Sequence, residues 1–154
     1  MTNAKTARLW TDADACPKPI RELIVRAALR TQTHTYFVAN HTVALPRMGF
    51  IHAVSVPSGA DAADTYIVEH VKAKDLVITS DLPLASLVLE RGAIVLTSRG
   101  EALTQDNIGP RLNMRDFMET LRASGEHSRG ARPLHARDVQ AFANAFDRTM
   151  ARLS

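Results

Sequence analysis

Cysteine is nearly absent from this chain of 154 residues, in which Cys16 is the single one. A lone cysteine excludes an internal disulfide framework and a cysteine-based zinc site. No apolar run approaches the roughly 18 residues that span a bilayer. Residues 1–6 are polar with one lysine, which is not the pattern of a secretory signal. We therefore expect a cytoplasmic protein that does not contact a membrane.

A strong charge of one sign is also absent, because the chain has 19 basic and 16 acidic residues and a net charge of +3. This balance permits nucleic-acid binding without requiring it. Fifteen of the 19 basic residues are arginine, which favours bidentate phosphate contacts, although codon usage explains the same composition. With 45% hydrophobic residues the chain can build a core, and its length predicts one domain over residues 1–154.

Short, continuously apolar segments alternate with helical patterns along the first two thirds of the chain. We predict strands at residues 8–11, 35–39, 51–56, 76–79 and 93–97. Helices are predicted after Pro19, over residues 61–72, and from Pro83 to a stop at Gly92. This alternation is typical of a parallel sheet covered on both faces. The sequence therefore predicts a doubly wound α/β fold with about five strands over a core of about residues 7–98.

The last third of the chain is predicted to be a helical appendage, over about residues 108–153, that packs on this core. A loop over residues 98–109 leads to a helix over residues 110–122. Its predicted apolar face consists of Met114, Phe117, Met118 and Leu121. Residues 124–133 have the composition of a mobile connection to a last helix over about residues 136–152. The apolar periodicity of that helix fits core packing as well as a dimer interface, so the sequence indicates no oligomeric state.

Aspartates follow three of the predicted strands. Asp12 and Asp14 come after the first, Asp61 and Asp64 after the third, and Asp81 after the fourth. Sites in open α/β sheets form beyond the carboxyl ends of the strands, so we expect these carboxylates to lie together. Crowded carboxylates repel one another unless a cation neutralises them, and hard oxygen ligands suit Mg²⁺ or Mn²⁺. The five aspartates are therefore candidate metal ligands, and we call the part of the sheet edge that they occupy the acidic edge.

Each of these aspartates also has a structural interpretation. Asp14 and Asp81 are placed to cap helices or hold turns, and Asp61 would place negative charge at a helix N-terminus. Asp64 fits such an interpretation less well, because it shares a helix face with apolar residues that are expected to be buried. Asp12 also fits it less well, because it ends a predicted central strand.

Weaker candidates lie in the neighbouring loops and on the helix that follows them. Four polar residues could reach the acidic edge or line a lid over it: Asn40, Ser80, Asp106 and Asn107. Three arginines are candidates for contacts with nucleic-acid phosphates: Arg99, Arg111 and Arg115. Turn chemistry explains the first group equally well, and a solvated helix flank explains the arginines. Cys16 is a weak candidate nucleophile beside the acidic cluster.

Several co-linear motifs of this chain resemble those of the YaiI/YqxD family, a bacterial family. They are DADACP at residues 12–17, VAN at 38–40, GADAAD at 59–64, ITSDLPLA at 78–85 and RDFMETLR at 115–122. The resemblance covers nearly the whole chain. Because that family is similar to PIN-like nuclease domains, the resemblance implies a PIN-like fold and metal-dependent nuclease chemistry.

The resemblance also implies roles for particular residues. In PIN-like nucleases, acidic residues after the first strand, on a middle helix and in a Thr-x-Asp pattern hold divalent metal. The matching positions here are Asp12, then Asp61 or Asp64, and Asp81 after Thr79. The chain departs from the pattern in its Asp12-x-Asp14 doublet, and the further downstream acid is either Asp106 or Asp116.

Three functional hypotheses follow. The first is a nuclease that depends on Mg²⁺ or Mn²⁺, acts on RNA in preference to DNA, and uses Asp12 and Asp81 as catalytic residues and shared ligands. The second is a non-catalytic RNA- or protein-binding module on the same scaffold. The third is a haloacid-dehalogenase-like phosphatase, which the Asp12-x-Asp14 doublet imitates. Cys16, the lack of a lysine soon after Thr79, and the order of the acidic motifs oppose this third hypothesis.

Overall fold

The computed structural model describes residues 7–59, 61–123 and 133–153. Six strands and five α-helices lie within these ranges. The strands are β1 (Leu9–Asp12), β2 (Thr35–Ala39), β3 (Ile51–Ser55), β4 (Leu76–Ile78), β5 (Ile94–Leu96) and β6 (Ala102–Leu103). The helices are α1 (Lys18–Thr31), α2 (Ala62–His70), α3 (Leu82–Glu90), α4 (Gln105–Ala123) and α5 (Ala136–Leu153). The predictions for residues 1–6, and for residues 124–132 of the connection, lie outside the described residues.

The strands form one sheet in the order β3-β2-β1-β4-β5-β6. The first five strands are parallel, and β6 pairs antiparallel with β5. The prediction of a doubly wound, mostly parallel α/β fold is therefore confirmed, and it agrees with the PIN-like fold that the resemblance implies. Because the chain moves outward from β1 to β3 and then crosses to β4, the strand order reverses between β1 and β4. Ligands of such sheets bind at this reversal, beyond the carboxyl ends of the strands.

Alternate side chains of the central strands enter two separate cores, one on each face of the sheet. Leu9 joins the core that α1 and α5 cover, while its neighbour Trp10 joins the core under α2 and α3. Both side chains are almost fully buried. Within the described ranges, no helix is long and apolar enough to cross a membrane.

Helix α5 completes the first core. Phe142 and Phe146 stack with ring centroids 5.1 Å apart and are almost fully buried, and Met150 lies in the same cluster. The predicted C-terminal helix is therefore present, and it covers one face of the sheet. Its amphipathic pattern is accounted for by this packing.

The prediction of a plain loop over residues 98–109 and a helix from residue 110 was wrong. Residues 102–103 form β6, and α4 begins at Gln105 with Pro110 inside it. Thr104 and Asn107 form a reciprocal cap, in which each backbone N–H donates to the other side chain, at 3.2 Å and 2.8 Å. This cap starts the helix before the Gly109-Pro110 pair, and the proline gives up only one helical hydrogen bond.

The predicted apolar face of α4 was also largely wrong. Met114 and Phe117 are 60% and 56% exposed. The helix contacts the second core instead through Ile108, which is buried, and Leu112, which is half-buried. These anchors lie in the first turns, which the prediction had assigned partly to a loop.

Candidate acidic site

Asp12 is the last residue of β1, level with the first residue after β4 at the reversal of strand order. Its side chain alternates with that of Thr11 and so belongs to the face covered by α2 and α3. The residue is only 9% exposed. Within the described residues, no hydrogen bond reaches its carboxylate. An ionised carboxylate in such a place is costly unless a partner neutralises it.

Burial and neighbouring carboxylates both raise the pKa of Asp12, to about 6. Desolvation is the larger cause, followed by the charges of Asp81 and Asp14. The pKa of Asp64, on α2, also rises to about 6, through burial and then through the charges of Asp81, Asp12 and Asp61. The structure therefore brings together carboxylates that follow β1, β3 and β4, which is the arrangement that the sequence pattern predicts.

Asp81 caps a helix, as its sequence position suggests, and its charge acts on the carboxyls of Asp12 and Asp64. It is the N-cap of α3, and its Oδ1 accepts a hydrogen bond of 3.0 Å from the Leu84 N–H. The Asp81 N–H in turn donates to Thr79 Oγ1 at 3.0 Å. These bonds fix the carboxylate at the acidic edge. Its second oxygen, Oδ2, accepts no hydrogen bond within the described part of the chain.

Asp14 is turned toward the loop that follows β2. It lies in a 3-10 helix (Ala13–Ala15), and its Oδ2 accepts a hydrogen bond of 3.0 Å from the Asn40 N–H. Its Oδ1 contacts the His41 ring at Nδ1. Asp14 therefore links the end of β1 to the segment after β2. Asp61 is exposed at the N-terminus of α2, and its side chain makes no capping hydrogen bond.

The arrangement fits a divalent cation by donor chemistry and only in part by geometry. Among the described residues, no group of three or more His, Cys, Asp or Glu side chains is placed to hold a metal ion. Mg²⁺, however, keeps several waters and is usually bound through one or two carboxylates together with substrate phosphates. The candidate ligands of such a site are Asp12 and Asp64, whose carboxylates receive no hydrogen bond among the described residues, and Asp81, which is the strongest neighbouring charge on both.

Two of the other polar candidates, Ser80 and Asn107, have structural partners. Ser80 Oγ lies 3.2 Å from Ser98 Oγ and joins the loops after β4 and β5. Asn107 caps α4 and also donates from Nδ2 to the Ala102 carbonyl at 3.0 Å. Asp106 is exposed in the first turn of α4. Of this group, only Ser80 lines the small cleft that also contains Asp12.

The three predicted phosphate-binding arginines are all engaged in ion pairs. Arg99 donates to Asp138 on α5 at 2.7 Å, and Arg111 pairs with Glu101. Arg115 lies 3.4 Å from Asp116 and 3.3 Å from Glu119. The sequence reasoning missed three other cations, which line a groove beside α1: Lys18, Arg21 and Arg26. Three cations within nine residues of one helix, directly after Asp12 and Asp14, are the signal that could have identified them.

Cys16 lines the same small cleft as Asp12, at the start of α1. Burial raises the pKa of its thiol to about 12, with a smaller opposing effect from Arg21 and a further increase from Asp12. The thiol is therefore protonated at neutral pH. Because the thiolate is the reactive form, this environment disfavours a nucleophilic role.

Known proteins are similar to this chain along almost its entire length. Residues 10–152 match the profile of a family described as "Uncharacterized BCR, YaiI/YqxD family". A UPF0178 protein of Saccharophagus degradans is 53% identical over 92% of this chain and 93% of its own. One from Vibrio parahaemolyticus is 54% identical over 94% and 99%, and one from Myxococcus xanthus is 45% identical over 95% of each chain. No solved structure matches the chain.

Proposed function

The chain belongs to the YaiI/YqxD family, and from its acidic edge we propose that it is a phosphodiesterase that depends on a divalent cation and acts on nucleic acid. The single observation that supports this proposal most is the state of Asp12. This carboxylate is 9% exposed, receives no hydrogen bond from the described residues, and has other carboxylates as its charged neighbours at the edge. A bound cation would convert this unfavourable arrangement into a favourable one.

Asp12 and Asp64 would bind the cation, and Asp81 would complete or orient the site. Mg²⁺ or Mn²⁺ bound here would supply an activated water and neutralise charge on the phosphoryl group. The capping bond from the Leu84 N–H holds Asp81 in one orientation, which favours a preorganised site. Burial of Asp12 excludes bulk water from the floor of the cleft. RNA is the first substrate to test, and DNA the second.

The first test is the melting temperature as a function of Mn²⁺ concentration for the wild type, Asp12→Asn and Asp81→Asn. A ligand at 100 times its Kd adds about 2.7 kcal/mol to the free energy of unfolding, which a melting curve resolves. We expect the melting temperature of the wild type to rise, and this rise to be lost in both variants. Asparagine is also a good N-cap, so Asp81→Asn removes the charge while keeping the start of α3.

Asp147→Asn is the matched control, because Asp147 is exposed on α5, away from the candidate ligands, and its substitution should leave the Mn²⁺ response unchanged. Hydrolysis of single-stranded and structured RNA and DNA, in Mg²⁺ and in Mn²⁺, then tests turnover. An unchanged melting temperature in the wild type would contradict the cation site. A Mn²⁺ response without hydrolysis of any substrate would contradict the phosphodiesterase and favour a non-catalytic binding module.

A further inference from the structure

A basic groove runs along α1 on the side that faces the loop of residues 41–50. Its volume is about 500 Å³, and it is lined by Lys18, Arg21, Glu22, Val25, Arg26, Ala44 and Pro46. The three cations make no ion pair within the described part of the chain, unlike the arginines discussed above. Among the described residues that line the groove, Glu22 is the one acidic side chain. The groove therefore presents an excess of positive charge.

Both walls of this groove begin at the acidic site. Helix α1 starts two residues after Cys16, which shares the small cleft with Asp12. The opposite wall belongs to the segment that starts at His41, whose ring contacts Asp14. Arg21 and Asp12 both act electrostatically on the Cys16 thiol, in opposite directions. A polymer bound along the groove would therefore extend to the acidic edge.

We propose that this groove binds the phosphate backbone of single-stranded nucleic acid and delivers it to the acidic site. The inference rests on the proposed phosphodiesterase function and adds the path of its substrate. From Lys18 to Arg26 the helix rises about 12 Å, which is longer than one phosphate group and suits a polymer. The apolar lining, including Val25 and Pro46, offers no hydrogen bonds that could identify a base. Binding should therefore depend little on base sequence.

The test measures binding of a labelled single-stranded RNA by fluorescence anisotropy at several salt concentrations, without added divalent cation. We expect the Lys18→Gln/Arg26→Gln variant to bind about tenfold more weakly at low salt. The slope of log K against log salt should also become less steep by about 1.4, or about 0.7 for each lost phosphate contact. Glu22→Gln should act in the opposite direction and strengthen binding about threefold, because it removes a repulsive charge.

The matched control is Arg148→Gln/Arg152→Gln, which removes two exposed charges of α5 that do not line the groove. Equal losses in this control and in Lys18→Gln/Arg26→Gln would overturn the groove as the binding path. Binding of a mononucleotide or inorganic phosphate as tight as that of the RNA would overturn the assignment to a polymer. Binding that depends on the groove, in a protein that hydrolyses no nucleic acid, would support this inference and contradict only the phosphodiesterase.

Discussion

Five aspartates at one edge of the sheet differ in what surrounds them, and that difference separates structural from chemical roles. Asp14 and Asp81 accept hydrogen bonds from backbone N–H groups, so part of their charge stabilises local structure. Asp12 and Asp64 accept none from the described residues, and burial raises the pKa of both. Carboxyl groups whose pKa is raised by burial and by neighbouring charges are candidates for a functional role.

Asp12→Asn should make the metal-free protein more stable, by an amount that depends on pH. The pKa of Asp12 is about 6 in the folded protein against 3.8 for the unperturbed group. The folded state therefore binds more protons than the unfolded state between these values, and the wild type loses stability as pH rises from about 4 to 6. Asparagine carries no charge and removes this loss. The free energy of unfolding of the variant, relative to the wild type, should rise by up to about 3 kcal/mol over that range and stay constant above pH 7.

Urea unfolding from pH 4 to pH 8 checks this prediction through the change in the difference between the two proteins. Burial of the asparagine amide carries a cost of its own, but that cost does not vary with pH. A difference between Asp12→Asn and the wild type that stays flat across this range would contradict the raised pKa.

At the scale of elements, α5 is attached to the sheet by its N-terminal turns as well as by its apolar face. Arg99 lies in the turn between β5 and β6 and donates to Asp138, whose Oδ2 also accepts a hydrogen bond of 2.9 Å from the His135 N–H. Next to it, Gly100 has a φ of +86° and lies directly against the α5 backbone. The turn and the helix therefore fix each other's position, which gives Arg99 a structural task beside its predicted contact with phosphate.

Gly100→Ala should destabilise the protein by about 2 to 4 kcal/mol. A Cβ at this position would lie 2.6 Å from the Ala141 carbonyl oxygen, and the backbone conformation is one that residues other than glycine rarely adopt. The helix would have to move away from the turn. Urea unfolding measures the effect, with Gly49→Ala as the control, because a Cβ at residue 49 meets no atom within 4 Å. Equal stabilities of the two variants would contradict this close packing.

At the scale of the whole molecule, most of the fold could be predicted from the sequence. The apolar strands and the breaks between them are local signals, so β2 was predicted with its observed bounds and the other parallel strands to within a residue or two at each end. The start of α4 was missed because Thr104 and Asn107 form a weak sequence signal beside a prominent Gly109-Pro110 pair. The exposure of Met114 and Phe117 depends on where that helix is anchored, which its periodicity does not reveal.

The sequence predicted the acidic part of the candidate site but not the ion pairs of the arginines. The sheet-edge rule brought Asp12, Asp64 and Asp81 together without any knowledge of the coordinates. The ion pairs of Arg99 and Arg111, in contrast, depend on partners that are distant in sequence or on another element. No pattern within one segment could have identified those partners.

The two ends of the central strands hold opposite electrostatic environments. At the amino end of β4, Asp75 is 2% exposed and accepts hydrogen bonds from four donors. These are the Arg8 N–H at 3.0 Å, the Arg8 guanidinium at 3.2 Å, Trp10 Nε1 at 3.0 Å and the Lys72 N–H at 2.9 Å. This network ties β1 to β4 at one end, while carboxylates repel one another at the other. We infer that the hydrogen bonds of Asp75 stabilise the fold at the amino end of these strands, and that repulsion between carboxylates destabilises it at the carboxyl end.

The same isosteric substitution should therefore have opposite effects at the two ends of the sheet. Asp75→Asn should lower the free energy of unfolding by about 3 kcal/mol or more, because an amide would turn donors toward donors and leave Arg8 without its carboxylate. Asp12→Asn should raise it at pH 8. Urea unfolding of both variants, with slopes equal to that of the wild type, tests this pair. Destabilisation by both substitutions would contradict the division, because it would mean that Asp12 also serves the fold.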